Sequence, residues 1–282
     1  MSIWKPSNPG YSLILTFFLF TNSMNGQNGF VSTAGARSLA LGEVSTTLDD
    51  LSGIFMGSPA IAFHERTGFC TYGSQHFGLA KLSEAGFAGS FSTAGLGSFF
   101  GSFRSAGFEA YKEIKFSFGY ARKILANFAL SASFNYHQLR IPEYGSAAAP
   151  SVEIGLYHKP FKTLALGVHV MNPIPFSHKS GLRLPTMLRC GLAYTPGKTV
   201  TIYSEIEKDA DHPVTFKAGI EYMPLPPFVI RMGARTEPAS MHMGAGYQVW
   251  EKWTIDVGVS YDIRLGLTPG ISLSFRPQKG ES

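Results

Sequence analysis

Asn127-Phe128-Ala129-Leu130-Ser131-Ala132-Ser133-Phe134-Asn135-Tyr136-His137 alternates with a period of two. Successive side chains of an extended chain point to opposite sides, so Phe128, Leu130, Ala132, Phe134 and Tyr136 share one face. Asn127, Ala129, Ser131, Ser133, Asn135 and His137 share the other, which is small and polar. One apolar face and one small-polar face, repeated at intervals of about ten residues, is the pattern of a transmembrane β-strand.

Further stretches from Phe69 to Phe275 repeat the pattern. Phe116, Phe118 and Tyr120 oppose Ser117, Gly119 and Ala121, and Leu164, Leu166, Val168 and Val170 oppose Thr163, Ala165, Gly167 and His169. Val214, Phe216, Ala218, Ile220 and Tyr222 oppose Thr215, Lys217, Gly219 and Glu221. Trp253, Ile255, Val257, Val259, Tyr261 and Ile263 oppose Thr254, Asp256, Gly258, Ser260 and Asp262. Lys217, Glu221, Asp256 and Asp262 all fall on the polar face, as a lumen requires, because a basic side chain facing lipid at the bilayer midplane costs about 2–4 kcal/mol. The runs predict an all-β fold: a transmembrane antiparallel barrel of about fourteen strands, an even number being usual for such barrels.

Turn residues punctuate the runs at Lys123–Ala126, Lys159–Lys162, Thr195–Lys198 and Pro224–Pro227. Longer connections are expected at Ile141–Pro150, Asn172–Leu184 and Lys208–Pro213, alternating with short ones. Over Leu82–Arg104, Phe99 and Phe103 read as out of phase with Phe87 and Phe91. Gly95–Gly101 there reads as a site of curvature, where a kinked strand would open a lateral gap.

Composition agrees. Charged residues make up 15% of the 282 residues, against about 25% in an ordinary soluble domain. No stretch of about twenty apolar residues follows the N-terminal region, which excludes a helical span there. The net charge of +5 comes without a basic cluster interleaved with aromatics, so nucleic acid is not an expected partner. Outer-membrane lipid is. Tyr157, Tyr194, Tyr222, Tyr247, Trp250, Trp253 and Tyr261 are candidates for interfacial girdles, and Trp250 and Trp253 bracket a short turn at one rim.

The chain divides into four parts. Residues 1–26 have the layout of a secretory signal peptide, with Lys5, the apolar run Tyr11–Phe20 and a small-polar segment after it; cleavage is expected before Gln27. No cysteine lies at the end of that run, so no lipoprotein anchor is expected there. Residues 27–63 lack period two, 64–276 carry the strands, and 277–282 form a polar tail behind the closing Phe275.

Within 27–63 stand Gly35-Ala36-Arg37-Ser38-Leu39-Ala40-Leu41-Gly42, the pair Asp49-Asp50, and Phe55 ahead of Ser58-Pro59-Ala60. This order resembles the N-terminal segment of FadL-like barrels of the PorV/PorQ group, the PorQ branch most of all, with Ser58 where that family usually has Asn. The resemblance implies a segment folded into the lumen as a hatch. It also implies a role beside the type IX secretion system, with secretion-system proteins or secreted cargo as partners. A barrel of this size is too wide for its own side chains to fill, so Arg37, Asp49 and Asp50 are candidates for tethering such a hatch. Pro59 is the candidate for fixing the turn into the first strand. The alternative for Asp49-Asp50 is that it caps a short helix or turn.

No catalytic or metal-binding pattern stands out. Gly95–Gly101 has the wrong spacing for a nucleotide loop. The eight histidines form no ligand motif, although His137, His169 and His242 share the inward phase. Cys70 and Cys190 read as small wall residues. The sequence therefore predicts a non-enzymatic outer-membrane barrel without catalytic residues, cofactor or metal. It is expected to act as a secretion accessory, or alternatively as a channel for a small hydrophobic molecule.

Overall fold

The computed structural model describes residues 34–63, 67–93, 95–174, 182–210, 212–250 and 252–277. The expected signal peptide at 1–26, residues 27–33 of the expected hatch and residues 278–282 of the tail lie outside them. A short helix, α1 (Gly35–Ala40), and two 3-10 turns, Leu51–Met56 and Pro59–Phe63, precede the strands. The strands are β1 (Gly68–Gln75), β2 (Ser83–Thr93), β3 (Gly97–Phe108), β4 (Tyr111–Leu125), β5 (Phe128–Ile141), β6 (Gly145–Phe161), β7 (Leu164–Met171), β8 (Met187–Tyr194), β9 (Val200–Asp209), β10 (Thr215–Leu225), β11 (Phe228–Thr236), β12 (Ala239–Val249), β13 (Trp253–Asp262) and β14 (Gly266–Phe275). Each pairs antiparallel with its neighbours in sequence, and β1 pairs with β14 from Phe69↔Phe275 to Ser74↔Gly270, so the sheet closes into a fourteen-stranded barrel. Closure removes both sheet edges, which lipid requires because it offers no hydrogen-bond partner to an open edge.

The alternation read from sequence sets the two faces. Phe118, Phe134, Ile220 and Ile271 point outward and are exposed, whereas Ser131, Asn135, His137, Lys217 and Asp256 are buried in the interior. The outward charges Lys112, Arg122, Arg140 and Lys208 sit near strand ends, where a long side chain can reach the interface. At the seam, Phe69, Trp253 and Phe275 pack with centroids 4.6–5.9 Å apart, so the closing aromatic locks first strand to last.

Connections depart from expectation. Ile141–Pro150 is no long loop: β6 already starts at Gly145, and a three-residue turn, closed by Tyr144 N–H on Ile141 O at 2.9 Å, joins it to β5. Pro150 is tolerated because β7 pairs with β6 only from Glu153 onward, leaving that side of Pro150 without a strand to bond. The turns placed at Lys123–Ala126, Lys159–Lys162 and Pro224–Pro227 start later, at 126, 162 and 226. The stretches just before them are β-bulges, where the register slips between Lys123/Leu125, His158/Phe161 and Tyr222/Leu225. Thr195–Lys198 is a connection as read, and 172–186 is the longest one. The latter lies at the end opposite Gly68 and Phe275, which marks that end as the extracellular mouth.

Phe87 and Phe91 pair directly with Phe103 and Phe99 across the β2–β3 hairpin, all four facing outward, so the apparent phase break is absent. β3 pairs without a register shift with β4 from Ser98↔Ala121 to Phe108↔Tyr111. The lateral gap considered near Gly95–Gly101 is therefore not formed: Gly95 (φ 78°) and Gly97 (φ 106°) serve the tight turn instead. Tyr157 also departs from the girdle, being 1% exposed and facing inward.

Ile220 stands at the middle of β10 on the lipid face. Ile220→Arg should cost about 2–4 kcal/mol, read as a lower urea midpoint for unfolding from lipid vesicles, whereas Ala218→Leu on the same face should leave the midpoint nearly unchanged.

Candidate functional site

The N-terminal segment lies inside the barrel. Leu51, Ile54, Phe55 and Ile61 pack against Cys70, Tyr72, Ala88, Phe100 and Ala129 of the β1–β5 wall. Leu41, Val44, Leu48 and Ala60 pack against Tyr157, Ala165, Ala193 and Tyr203 farther round. Phe55 meets Tyr72 edge to face at 4.7 Å, and Phe63 meets Tyr157 at 5.6 Å.

The inward glycines are the imprint of this packing. A Cβ on Gly233 would stand 2.3 Å from Gly42 N, and one on Gly167 2.4 Å from Thr46 O. On Gly155, Gly244 and Gly258 it would come within 2.6–2.7 Å of Pro59, Ala40 and Ala36. No real Cβ tolerates such approaches. The small inward face, readable from sequence as solvated lumen, is here a surface against which backbone packs.

Polar anchors hold the other side. The fully buried Glu205 carboxylate of β9 accepts from Ser45 N–H at 2.9 Å, Thr46 N–H at 2.8 Å and Thr46 Oγ1 at 2.8 Å. Its second oxygen takes Lys217 Nζ at 3.2 Å. Two adjacent hatch amides are thus satisfied by a wall carboxylate, a charge-assisted arrangement stronger than neutral hydrogen bonds. Lys217 also reaches Glu207 at 2.8 Å, and Arg189 reaches Glu207 at 2.5 Å, so these buried charges are paired.

The structure brings Arg37, Asp49 and Asp50 together. Arg37 donates to Glu221 of β10 at 3.0 Å and to the Tyr203 hydroxyl at 3.0 Å, and lies 3.7 Å and 3.5 Å from Asp49 and Asp50. Burial disfavours the guanidinium charge, but Glu221, Tyr203 and the two aspartates outweigh it and hold its pKa well above the ordinary arginine value. Glu221 is shared with Arg231, which also binds Asp256 at 2.7 Å. Asp49 further approaches Lys159 at 3.8 Å. Asp50 does occupy the N-cap position of the Leu51–Met56 turn, yet it makes no side-chain cap bond there and accepts from Ser52 Oγ at 2.8 Å instead. Pro59 opens the last hatch turn against Gly155 rather than standing next to β1.

Glu205 was not singled out by sequence reading. Its signal is the inward-phase series Glu205, Glu207, Asp209 on β9. Of the inward histidines, His242 bridges Leu39 O at 2.7 Å and Ser240 Oγ at 2.8 Å, so it helps seat the hatch. His137 meets Ser151 Oγ at 2.9 Å, and His169 lies 3.4 Å from Glu153. They stand on three different strands, as parts of local networks. Cys70 faces inward and Cys190 outward, both unpaired.

Above the hatch, at the extracellular mouth, opens a cavity of about 460 Å³. Glu43 of the hatch lines it and is ion-paired with Arg235. Burial opposes the Glu43 charge, but Arg235 and Lys217 overcome this and hold its pKa below the ordinary value. Arg104 binds Glu84 at 2.6 Å, and Glu84 also takes the Tyr72 hydroxyl and His76. Phe77, Leu82, Ala106 and Leu265 supply apolar wall.

These features define a class: a transmembrane barrel of the outer-membrane type, with fourteen strands and its lumen occupied by its own N-terminal segment. Solved structures share the fold. The toluene transporter TodX of Pseudomonas putida superposes with a TM-score of 0.70 at 10% identity, covering 88% of this chain and 99% of that one. A FadL homologue of Pseudomonas aeruginosa superposes with a TM-score of 0.59 at 12% identity, covering 87% of this chain and 98% of that one. At such identities the likeness is one of fold. No family model and no curated protein sequence matches the chain.

Gly233→Leu should displace the hatch while the barrel still assembles, and Glu205→Ala should loosen it by about 3–5 kcal/mol by stripping one partner from a buried charge network. Both should raise single-channel conductance in planar bilayers above that of the intact protein. Conductance unchanged in both variants would mean that something other than these contacts closes the lumen.

Proposed function

We propose that this protein is a non-enzymatic outer-membrane channel that admits small, largely apolar molecules through its mouth. The cavity above the hatch carries the reading: about 460 Å³ suits one small molecule, and ligand pockets of about 300–1,000 Å³ are the common range. The fold likeness to a toluene transporter and to a FadL homologue supports the same direction. The hatch then acts as the element that must shift for passage, with Arg37, Asp49, Asp50 and Pro59 as its anchoring residues.

A second reading is favoured by one observation. The Gly35–Gly42 stretch, the acidic pair and Ser58-Pro59-Ala60 resemble the PorQ branch of secretion-associated barrels, and Arg37, Leu41 and Gly42 of that pattern are among the residues seated on the wall. Under it, secreted cargo or secretion-system proteins would dock at the rims and the lumen would stay shut.

One substitution separates the two. Ala106→Trp fills the mouth cavity from β3 and leaves the sequence of every rim loop unchanged. Uptake of radiolabelled toluene by cells carrying this variant should fall to the level of cells lacking the barrel, with surface proteins retained as in the parent strain. Undiminished uptake in a barrel that still shows its heat-dependent gel shift would overturn the channel reading. Loss of surface-attached proteins on deleting the whole chain would transfer the argument to secretion.

A further inference from the structure

Resting on the channel reading, we infer that the mouth cavity selects small apolar molecules bearing a protonated amine, and that Glu113 is the residue that recognises it. The charge balance of the lining is one-sided. Arg104 and Arg235 are its guanidinium groups, against the carboxylates of Glu43, Glu84, Glu113 and Asp262. Both arginines are already engaged, Arg104 by Glu84 and Arg235 by Glu43. His76 is held against Glu84 at 3.1 Å. Asp262 spends one oxygen on the N–H groups of Arg264 and Leu265, at 2.7 and 2.9 Å, where it shapes the β13–β14 turn. Two carboxyl groups, those of Glu113 and Asp262, therefore remain without a cationic partner in the lining.

Glu113 differs from the others in what it lacks. It sits near the mouth end of β4, only 4% exposed, with the Tyr111 hydroxyl donating to Oε1 at 2.6 Å. Its Oε2 is buried and meets no hydrogen-bond partner among the described residues. A buried carboxylate oxygen left unpaired is costly, and the cost falls when a donor arrives. An ammonium group that meets this oxygen as the Glu113 side chain turns into the cavity brings both hydrogen-bond donors and a positive charge. The rest of the ligand must be apolar, because Phe77, Leu82 and Leu265 form the neighbouring wall. A carboxylate-bearing molecule of the same size would meet uncompensated negative charge and be rejected.

The test uses the full-length barrel in detergent micelles and isothermal titration calorimetry with three probes of one shape: phenethylamine, phenethyl alcohol and 3-phenylpropionate. Phenethylamine should bind at least tenfold more tightly than the alcohol, and the anion should bind most weakly. Glu113→Gln keeps an acceptor for Tyr111 and should bring amine and alcohol to within about twofold of each other. A wild-type barrel that binds amine and alcohol equally overturns the inference, whether or not the variant assembles. So does an amine preference that survives in a folded Glu113→Gln barrel. Selective amine binding without uptake would overturn the channel reading and leave the recognition standing. Toluene uptake through a barrel with no amine preference would do the reverse.

Discussion

A ring of fourteen strands encloses more space than its inward side chains can fill. That geometric constraint shapes most of what the interior contains. The wall answers it by giving up side chains where the N-terminal segment presses, at Gly155, Gly167, Gly233, Gly244 and Gly258. It places carboxylates and bases where that segment exposes polar backbone. Glu205, gripping the Ser45 and Thr46 amides, is the clearest case: remove the hatch and this fully buried carboxylate loses its two backbone partners, while the hatch amides lose theirs.

The attachment is uneven around the ring. Toward β1–β5 the hatch is held by aliphatic and aromatic packing centred on Leu51, Ile54, Phe55 and Ile61. Toward β9–β12 it is held by charge: Arg37 on Glu221, Glu205 on Ser45 and Thr46, Arg235 on Glu43, and His242 on Leu39 O. The two kinds of contact respond to different conditions. Apolar contacts tolerate small sliding movements because they are non-directional and individually weak. Buried charge pairs are directional and costly to half-break. The Glu43–Arg235 pair lies on this polar side and lines the mouth cavity.

The same wall serves two solvents. Outside, Phe118, Phe134 and Ile220 face lipid with no polar partner needed. Inside, Lys217, Arg231 and Arg189 are paired with Glu205, Glu207, Glu221 and Asp256, since buried charge is tolerable only when compensated. A register slip of one residue would exchange the two faces. The bulges before the turns at 126, 162 and 226 keep the phase by absorbing their slips at the barrel rim, away from the mid-membrane residues.

Period-two alternation determined the strand count, the lipid face and the lumenal placement of Lys217, Glu221, Asp256 and Asp262, because lipid imposes one rule on every outward residue along the strand. Turn residues marked most connections, and they misled where proline sits inside a strand with one neighbour missing, as at Pro150, or beside a bulge, as at Pro160 and Pro224. Arg37 and the acidic pair were legible as charges in a segment without strand periodicity. The wall partner of Arg37, Glu221, was not, since it lies 184 residues away. Nor were Glu205, the inward turn of Tyr157, or the unbonded Oε2 of Glu113. Whether an inward glycine borders water or a packed backbone, and whether an inward carboxylate is paired or waiting, depends on which atoms closure of the ring brings opposite it. That is decided by tertiary structure alone.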